Sequence, residues 1–352
     1  MKISRRGAPL SDLPVLPSAS ALEQVRTLAD EVREARIRRV HLVRSTDLAA
    51  IADPSGATRV WIATEALQVT GSFKVRGALN ALLALLVKEQ SPKVVVGSAG
   101  NHGAGMAYAA NVLGIEATVV VPKGAPRTKI EKIEASGANV VVSMSDQFDD
   151  AEKQAKRIAE TTGAKFISAY DDIDVVLGNG SSLGFEIAEA LGAVPKTVLA
   201  PFGGGGLATG LSWAFAHQAK EPLLESDRVW GVQSEASPVM SISTEKRNAV
   251  TELRVEKTLA EGLAGGISES GFARAHASIA GTLVVSEKEI AHAMIWAQSE
   301  LGLVIEGSAA ASLAPLLSEL PAELRGGDLV CVLTGRNVDA ARIEEARSLL
   351  RF

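Results

Sequence analysis

Four short segments carry residue types that could do chemistry. In TGSFKVRGALNAL, residues 70–82, Lys74 stands between Phe73 and Val75 rather than on a polar face. An ammonium in an apolar setting gives up its proton more readily, and a neutral amine is what Schiff-base chemistry requires. Most lysines, by contrast, are solvated surface charges. In PFGGGGLATG, residues 201–210, four successive glycines follow an apolar run and precede a helical pattern. Their N–H groups can converge on an anion at a helix N-terminus. No GK[ST] follows, which disfavours a nucleoside triphosphate, and a flexible turn is the plain alternative. GSAGNHGAG, residues 97–105, sits in the same setting, with Asn101 and His102 at the mouth of a loop whose backbone donors could hold a carboxylate or a phosphate. A dinucleotide fingerprint fails there, because Tyr108 takes the third place after Gly103 and Gly105 and the next strand ends in Lys123 instead of an acidic ribose partner. The fourth segment, VCVLTGRN at 330–337, is a strand running into a turn with a hydroxyl, Thr334; alone it is only a strand end.

The elements that must position these segments follow from the hydrophobic pattern. It predicts strands at KVVVG, ATVVVP, NVVVS and KFISAY, separated by helices over 103–113, 126–136 and 149–160. That alternation is the signature of a parallel sheet with right-handed crossovers. A second series predicts strands at TVLAP, RVWGVQ and LVCVL, with helices over 207–218 and 287–300 and another after Asn337. No Pro/Gly/Ser-rich linker divides the two. The expectation is an α/β protein of two open, twisted parallel-sheet domains, a large one from 1–84 and 169–352 and a small one from 85–168. Ligands belong in the cleft between them, at the carboxyl ends of strands. The N-terminal MKISRRGAPLSDLPVLPSAS holds three prolines and no apolar h-region, so it reads as a loose arm and not as a secretory signal. The uncharged windows 94–115 and 197–219 are long enough to suggest membrane spans, but their glycine clusters and interior polar residues argue for strand, glycine turn and helix.

Composition narrows the function classes. Of 352 residues, 47% are hydrophobic and 22% charged, which suits a folded globular protein and not a disordered or collagen-like chain. With 36 basic against 41 acidic residues the net charge is −5, which argues against nucleic acid and anionic membranes and leaves small molecules or a second subunit as partners. The single cysteine, Cys331, permits no internal disulfide and no cysteine-built metal site, and the five histidines form no HxxxH pair. No metal is expected, and a cytoplasmic address follows by default.

Taken together and in this order, GSFKVRGA, SAGNHG, GGGGL and TGRN resemble the fold-type II pyridoxal-phosphate enzymes of tryptophan synthase β-like fold, specifically the threonine/serine dehydratase and serine racemase group. The resemblance runs over 46–337. YDDIDVVLGNGSSLGFE, TLAEGLAGG and IEGSAAAS are similar to further segments of that group. It implies pyridoxal 5′-phosphate as the cofactor, held covalently by Lys74, which then serves as the base at Cα. Phe73 would adjoin the cofactor, Asn101 would meet its O3′, and Thr334 its pyridine nitrogen. Gly203, Gly204, Gly205, Gly206 and Leu207 would bind the phosphate through their N–H groups. Ser98, Ala99, Gly100, Asn101 and His102 would take the substrate carboxylate. A neutral hydroxyl on the pyridine nitrogen tempers the electron sink, which suits elimination. The implied reaction removes water from a β-hydroxy amino acid and ends in a 2-oxo acid and ammonia. Threonine, serine, 3-hydroxyaspartate, phenylserine and hydroxyectoine-derived amino acids are all compatible. A homodimer is implied by the family alone.

Departures from the family pattern qualify this expectation. Ala99 stands where racemases of the group carry a serine as the second acid, so racemisation is disfavoured. Gln233, Ser237 and Val239 occupy positions where some members ligate a divalent cation. Ala63 replaces the lysine of KxExxQ, though Glu65 and Gln68 are kept, and Asp47 replaces the proline of an early TPL. Arg336, within TGRN, is larger than the usual residue. It either senses a second anionic group on the substrate or packs against the outer surface, the latter being favoured. The chain as read to Phe352 holds no regulatory domain, so feedback by isoleucine is not expected. The competing readings are an amino-acid racemase of the same fold, a binding or scaffold protein without turnover, and a nicotinamide oxidoreductase.

Overall fold

The computed structural model describes residues 1–10, 14–146, 148–224, 226–255 and 257–351, without the side chains of 27–35, 148 and 149. Its strands in chain order are β1 (Lys2–Arg5), β2 (His41–Ser45), β3 (Thr58–Thr64), β4 (Lys93–Gly97), β5 (Glu116–Val121), β6 (Asn139–Val142), β7 (Lys165–Phe166), β8 (Thr197–Pro201), β9 (Val229–Ser234), β10 (Gly281–Val285) and β11 (Gly327–Leu333). They form a seven-stranded sheet in the order β1-β10-β9-β8-β11-β3-β2 and a four-stranded sheet in the order β6-β5-β4-β7. The smaller sheet is entirely parallel. In the larger one the inner five strands are parallel, while the edge strands β1 and β2 run antiparallel to β10 and β3. Inner strands such as β8, buried at every residue, read as unbroken apolar runs because helices cover both faces.

The expected strands and helices of the two alternating series are present, with ends shifted by a few residues. KFISAY is a strand only at Lys165–Phe166; beyond it the chain leaves the sheet. β1, β2, β3 and β10 are not foreseen by the pattern. The arm read as loose pairs through Lys2–Arg5 with β10, Ile3 opposite Leu283, and Ala19–Arg36 is helical. Residues 11–13 of that arm lie outside the described residues. β1 escapes detection because four residues, only two of them partly buried, carry almost no period-two signal.

Topology places the site. From β8 the chain steps outward through β9 to β10, then returns to set β11 on the other flank of β8. The crevice at the carboxyl ends of β8 and β11 is therefore a switch point, where α/β sheets bind ligands. The helix Lys74–Lys88 buries Ala78, Leu79, Ala81 and Leu82 in one core with Val94, Val96 and the helix Asn101–Leu113. One π turn, Leu177–Ser181, links the helices Ile173–Val176 and Ser182–Leu191 and wedges between the helices Lys74–Lys88 and Gly206–Ala219. It can do so only with glycine: a Cβ at Gly178 would lie 2.7 Å from the Arg76 carbonyl oxygen, and one at Gly180 would lie 2.5 Å from that of Leu207. π turns of this kind recur at functional sites.

Candidate active site

Lys74 is the first residue of its helix, delivered to the carboxyl edge of the large sheet by the turn after β3. Its Nζ donates to the Ala169 carbonyl at 3.2 Å and lies 5.1 Å from the Phe73 ring centroid. Burial lowers the amine from its ordinary 10.5 to about 8, with the Glu306 carboxylate pulling the other way. A lysine so placed keeps a substantial neutral fraction near physiological pH, as a nucleophile or base must.

The helix register is locked from behind. Arg76 is enclosed between two carboxylates: its Nε and Nη2 donate to Glu65 at 2.7 and 2.8 Å, and its Nη1 and Nη2 donate to Glu186 at 3.1 and 2.8 Å. Nη2 also reaches the Arg38 carbonyl at 3.3 Å. Burial alone would weaken the guanidinium's hold on its proton, but the flanking carboxylates outweigh it. Asn179, at the π turn, accepts the Gly77 N–H at 2.9 Å. Lys74 is thereby tied to β3, to the helix Ser182–Leu191 and to the segment before β2.

The glycine run after β8 meets the helix Gly206–Ala219 with Gly205 at φ +83°, a left-handed backbone suited to glycine. None of the N–H groups of Gly203, Gly204, Gly205, Gly206 and Leu207 donates to a protein acceptor among the described residues. A Cβ at Gly204 would sit 2.8 Å from that of Tyr170. Five free donors at a helix N-terminus form an anion cradle.

From the other side, the loop after β4 carries Ser98, Ala99, Gly100, Asn101 and His102. A Cβ at Gly105 would come within 3.0 Å of the Lys74 backbone, so this helix rests directly on the lysine's own turn. Asn101 Nδ2 donates to both oxygens of Glu306, at 2.9 and 3.0 Å, while its Oδ1 accepts from Asn337 Nδ2 at 2.6 Å. Burial pushes the Glu306 carboxyl up to about 7, against the pull of Asn101, Lys129 and Lys74. His102 is 3% exposed, and burial together with the Lys74 charge lowers it to about 3 against the pull of the Ile167 backbone, so it is a neutral imidazole. Thr334 follows β11, its carbonyl accepting the Phe73 N–H at 3.0 Å.

All the residues singled out from the sequence, from Phe73 and Lys74 through Ser98–His102 and Gly203–Leu207 to Thr334, line one cleft of about 1760 Å³. Sequence reasoning missed the role of Glu306, although IEGSAAAS stands out as a segment. It also missed the Ala169 carbonyl, Asn337 and Lys132, whose Nζ crosses the cleft to Asn337 Oδ1 at 2.9 Å. Only the turn residues around them could have flagged these positions.

The residues fit pyridoxal phosphate: a buried amine, a cradle of unpaired N–H donors and a hydroxyl, Thr334, at the end of β11. The family described as pyridoxal-phosphate dependent enzyme matches residues 35–335. An L-threonine ammonia-lyase of Thermotoga maritima is 36% identical over 320 residues, 90% of this chain and 77% of the relative. The catabolic L-threonine dehydratase TdcB of Escherichia coli K12 is 36% identical over 290 residues, covering 81% and 85%. Among solved structures, a T.th. threonine deaminase is 32% identical with a TM-score of 0.79, covering 92% of this chain and 99% of its own. Maize serine racemase, 24% identical with a TM-score of 0.82 over 95% and 98%, shares the fold. The chain belongs to the pyridoxal-phosphate dependent enzymes, in their fold-type II threonine/serine dehydratase group.

Proposed function

We propose that this protein is a pyridoxal-phosphate dependent ammonia-lyase that removes water from a β-hydroxy amino acid of the threonine or serine type, releasing a 2-oxo acid and ammonia. The observation that carries the reading is the convergence, at the switch point of the larger sheet, of a half-buried lysine with a lowered pKa and five unpaired backbone N–H groups. The threonine ammonia-lyases among its relatives support the reaction class.

Bound pyridoxal phosphate supplies an electron sink that makes the Cα proton of an amino acid acidic. The chain's own residues do the rest. Gly203 to Leu207 would hold the phosphate through their backbone N–H groups, and Lys74 would carry the cofactor. Thr334 would offer the pyridine nitrogen a neutral hydroxyl, and Phe73 and Asn101 would help to hold the ring. Because Asn101 rests on Glu306, that carboxyl sets which way the amide faces. Ser98, Ala99, Gly100, Asn101 and His102 take the substrate carboxylate. Lys74 would act as the base at the substrate Cα, with the Ala169 carbonyl orienting its amine. Ala99 offers no acid for reprotonation from the far face, so elimination prevails over racemisation.

The part 85–168 acts as a small domain against 1–84 and 169–352, a division supported by the separate sheets. The protein works in the cytoplasm, which its one cysteine, buried and free, supports, and as a homodimer, which rests on family resemblance.

The test is the visible spectrum of the purified protein before and after borohydride, with 2-oxo acid release measured for L-threonine and L-serine. A near-visible band fixed by borohydride onto Lys74 and lost in Lys74→Ala, together with turnover, supports the proposal. A protein that stays colourless with added cofactor overturns it.

A further inference from the structure

The structure assigns to this cleft a second anion subsite, built by Arg336 and Lys132, that recognises a β-hydroxy amino acid carrying a side-chain carboxylate. This rests on the lyase reading above and names its substrate class.

The argument begins with where Arg336 is held. The turn 334–337 follows β11, which has β8 and its glycine cradle on one flank and β3 on the other. The turn leans toward the β3 flank: Arg336 N–H donates to the Gly71 carbonyl at 2.9 Å, and Gly335 bridges to Ser72. The backbone that carries Arg336 is therefore held on the β3 flank, with β8 and the phosphate cradle on the other side of β11.

A second cation arrives from the opposite wall. Lys132, on the helix Arg127–Ala135, reaches across to Thr70 O at 3.3 Å and Asn337 Oδ1 at 2.9 Å. Both acceptors are neutral. Among the described residues no carboxylate pairs with Lys132, and the Arg336 side chain makes no hydrogen bond or ion pair, although both line the cleft. The neighbouring Arg342, by contrast, is engaged by Glu261 and Glu345. Partial burial and then the nearby Arg336 charge loosen the proton of Lys132, while the Glu306 carboxylate pulls the other way. Among the described residues no ion pair neutralises either charge, although the Glu306 carboxylate acts on Lys132 from beyond ion-pair distance, and an anion joining the two cations would ease their repulsion.

The position of this pair matches a diacid. Asn337 links Lys132 to Asn101 through hydrogen bonds of 2.9 and 2.6 Å. Lys132 is thus two hydrogen bonds from the loop that takes the α-carboxylate, and Arg336 adjoins Asn337 in the chain. An anion bridging them would lie on the same small substrate, and Arg336 can engage a carboxylate with two parallel N–H donors. The smallest substrate with this chemistry is 3-hydroxyaspartate. Arg336 is exposed on the cleft wall, where a substrate anion can reach it.

The experiment uses the cofactor-loaded enzyme and Arg336→Gln, comparing kcat/KM for 3-hydroxyaspartate with that for L-threonine within each protein. Expected is a preference for the diacid in the wild type and a fall of about thirtyfold in that ratio in the variant, the loss of a charge-assisted contact. Lys132→Met lowers the ratio in the same direction. A ratio in Arg336→Gln within twofold of the wild type, or a wild type that prefers threonine, overturns the subsite. Binding of unreactive L-aspartate and L-alanine, read from the cofactor's visible absorption, separates this idea from the lyase reading. If no 2-oxo acid forms with any substrate but the wild type favours aspartate and Arg336→Gln does not, the subsite stands and the reaction assignment fails.

Discussion

Replacing Arg76 tests whether the buried ion cluster is what aims Lys74. Arg76→Met keeps much of the side-chain volume but leaves Glu65 and Glu186 facing each other without their shared cation, with both side chains almost wholly enclosed. Removing one partner of a buried ion pair costs about 3–5 kcal/mol, because the remaining charge has neither water nor counter-ion. Set against a typical stability of about 5–15 kcal/mol, that is a large fraction. Combining Arg76→Met with Glu65→Leu and Glu186→Leu removes the orphaned charges, so most of the loss returns. What stays lost is the hydrogen bond from Val40 N–H to Glu186, 2.8 Å long, worth about 1–3 kcal/mol when left unmet, while the Arg38 carbonyl keeps its hydrogen bond from Gln68 Nε2. Urea unfolding followed by circular dichroism reads stability; borohydride-fixed cofactor reads the placement of Lys74. The expected result is a single variant that is strongly destabilised, and a triple variant that is stable but captures cofactor poorly. An Arg76→Met protein within about 1 kcal/mol of the wild type, or a triple variant with full cofactor capture, would refute the reasoning.

Further outcomes follow from the site. Covalent capture of cofactor by the free protein requires the neutral amine, so its rate rises with pH through about 8, where Lys74 loses its proton. Because the Glu306 carboxylate favours the ammonium, Glu306→Gln moves that profile to lower pH in stopped-flow absorbance; a profile that moves upward contradicts the assignment. Gly204→Ala drives a Cβ to 2.8 Å from Tyr170, and overpacking of about 1–3 kcal/mol weakens cofactor binding by about tenfold or more in equilibrium titration. Gly178→Ala pushes against the Arg76 carbonyl at 2.7 Å, so the melting temperature falls even without cofactor; an unchanged melt would mean the π turn yields without cost.

Much of the candidate site was legible because its parts are local. Lys74 in an apolar run, the glycine stretch after TVLAP and the Asn-His loop each announce themselves within about ten residues, since a strand, a glycine turn and a helix N-terminus are consecutive in the chain. The two alternating series gave the parallel sheets for the same reason. Short or edge strands such as β1 and β2 were not legible, because they gain stability from a distant partner and not from their own pattern.

What the sequence by itself determined is the set of chemical groups: one amine that can shed its proton, an anion cradle made of backbone, and a neutral hydroxyl at a strand end. Their mutual placement belongs to the tertiary structure. Glu306 meets Asn101 across 205 positions of sequence, and Lys132 meets Asn337 across another 205. The pKa of Lys74 depends on walls contributed by both sheets. Arg336 showed only its size and charge in the sequence; that its turn is held on the β3 flank, within electrostatic reach of Lys132, follows from strand order and the Gly71 contact. Desolvation and Coulomb forces act through space, and only the fold says which residues share it.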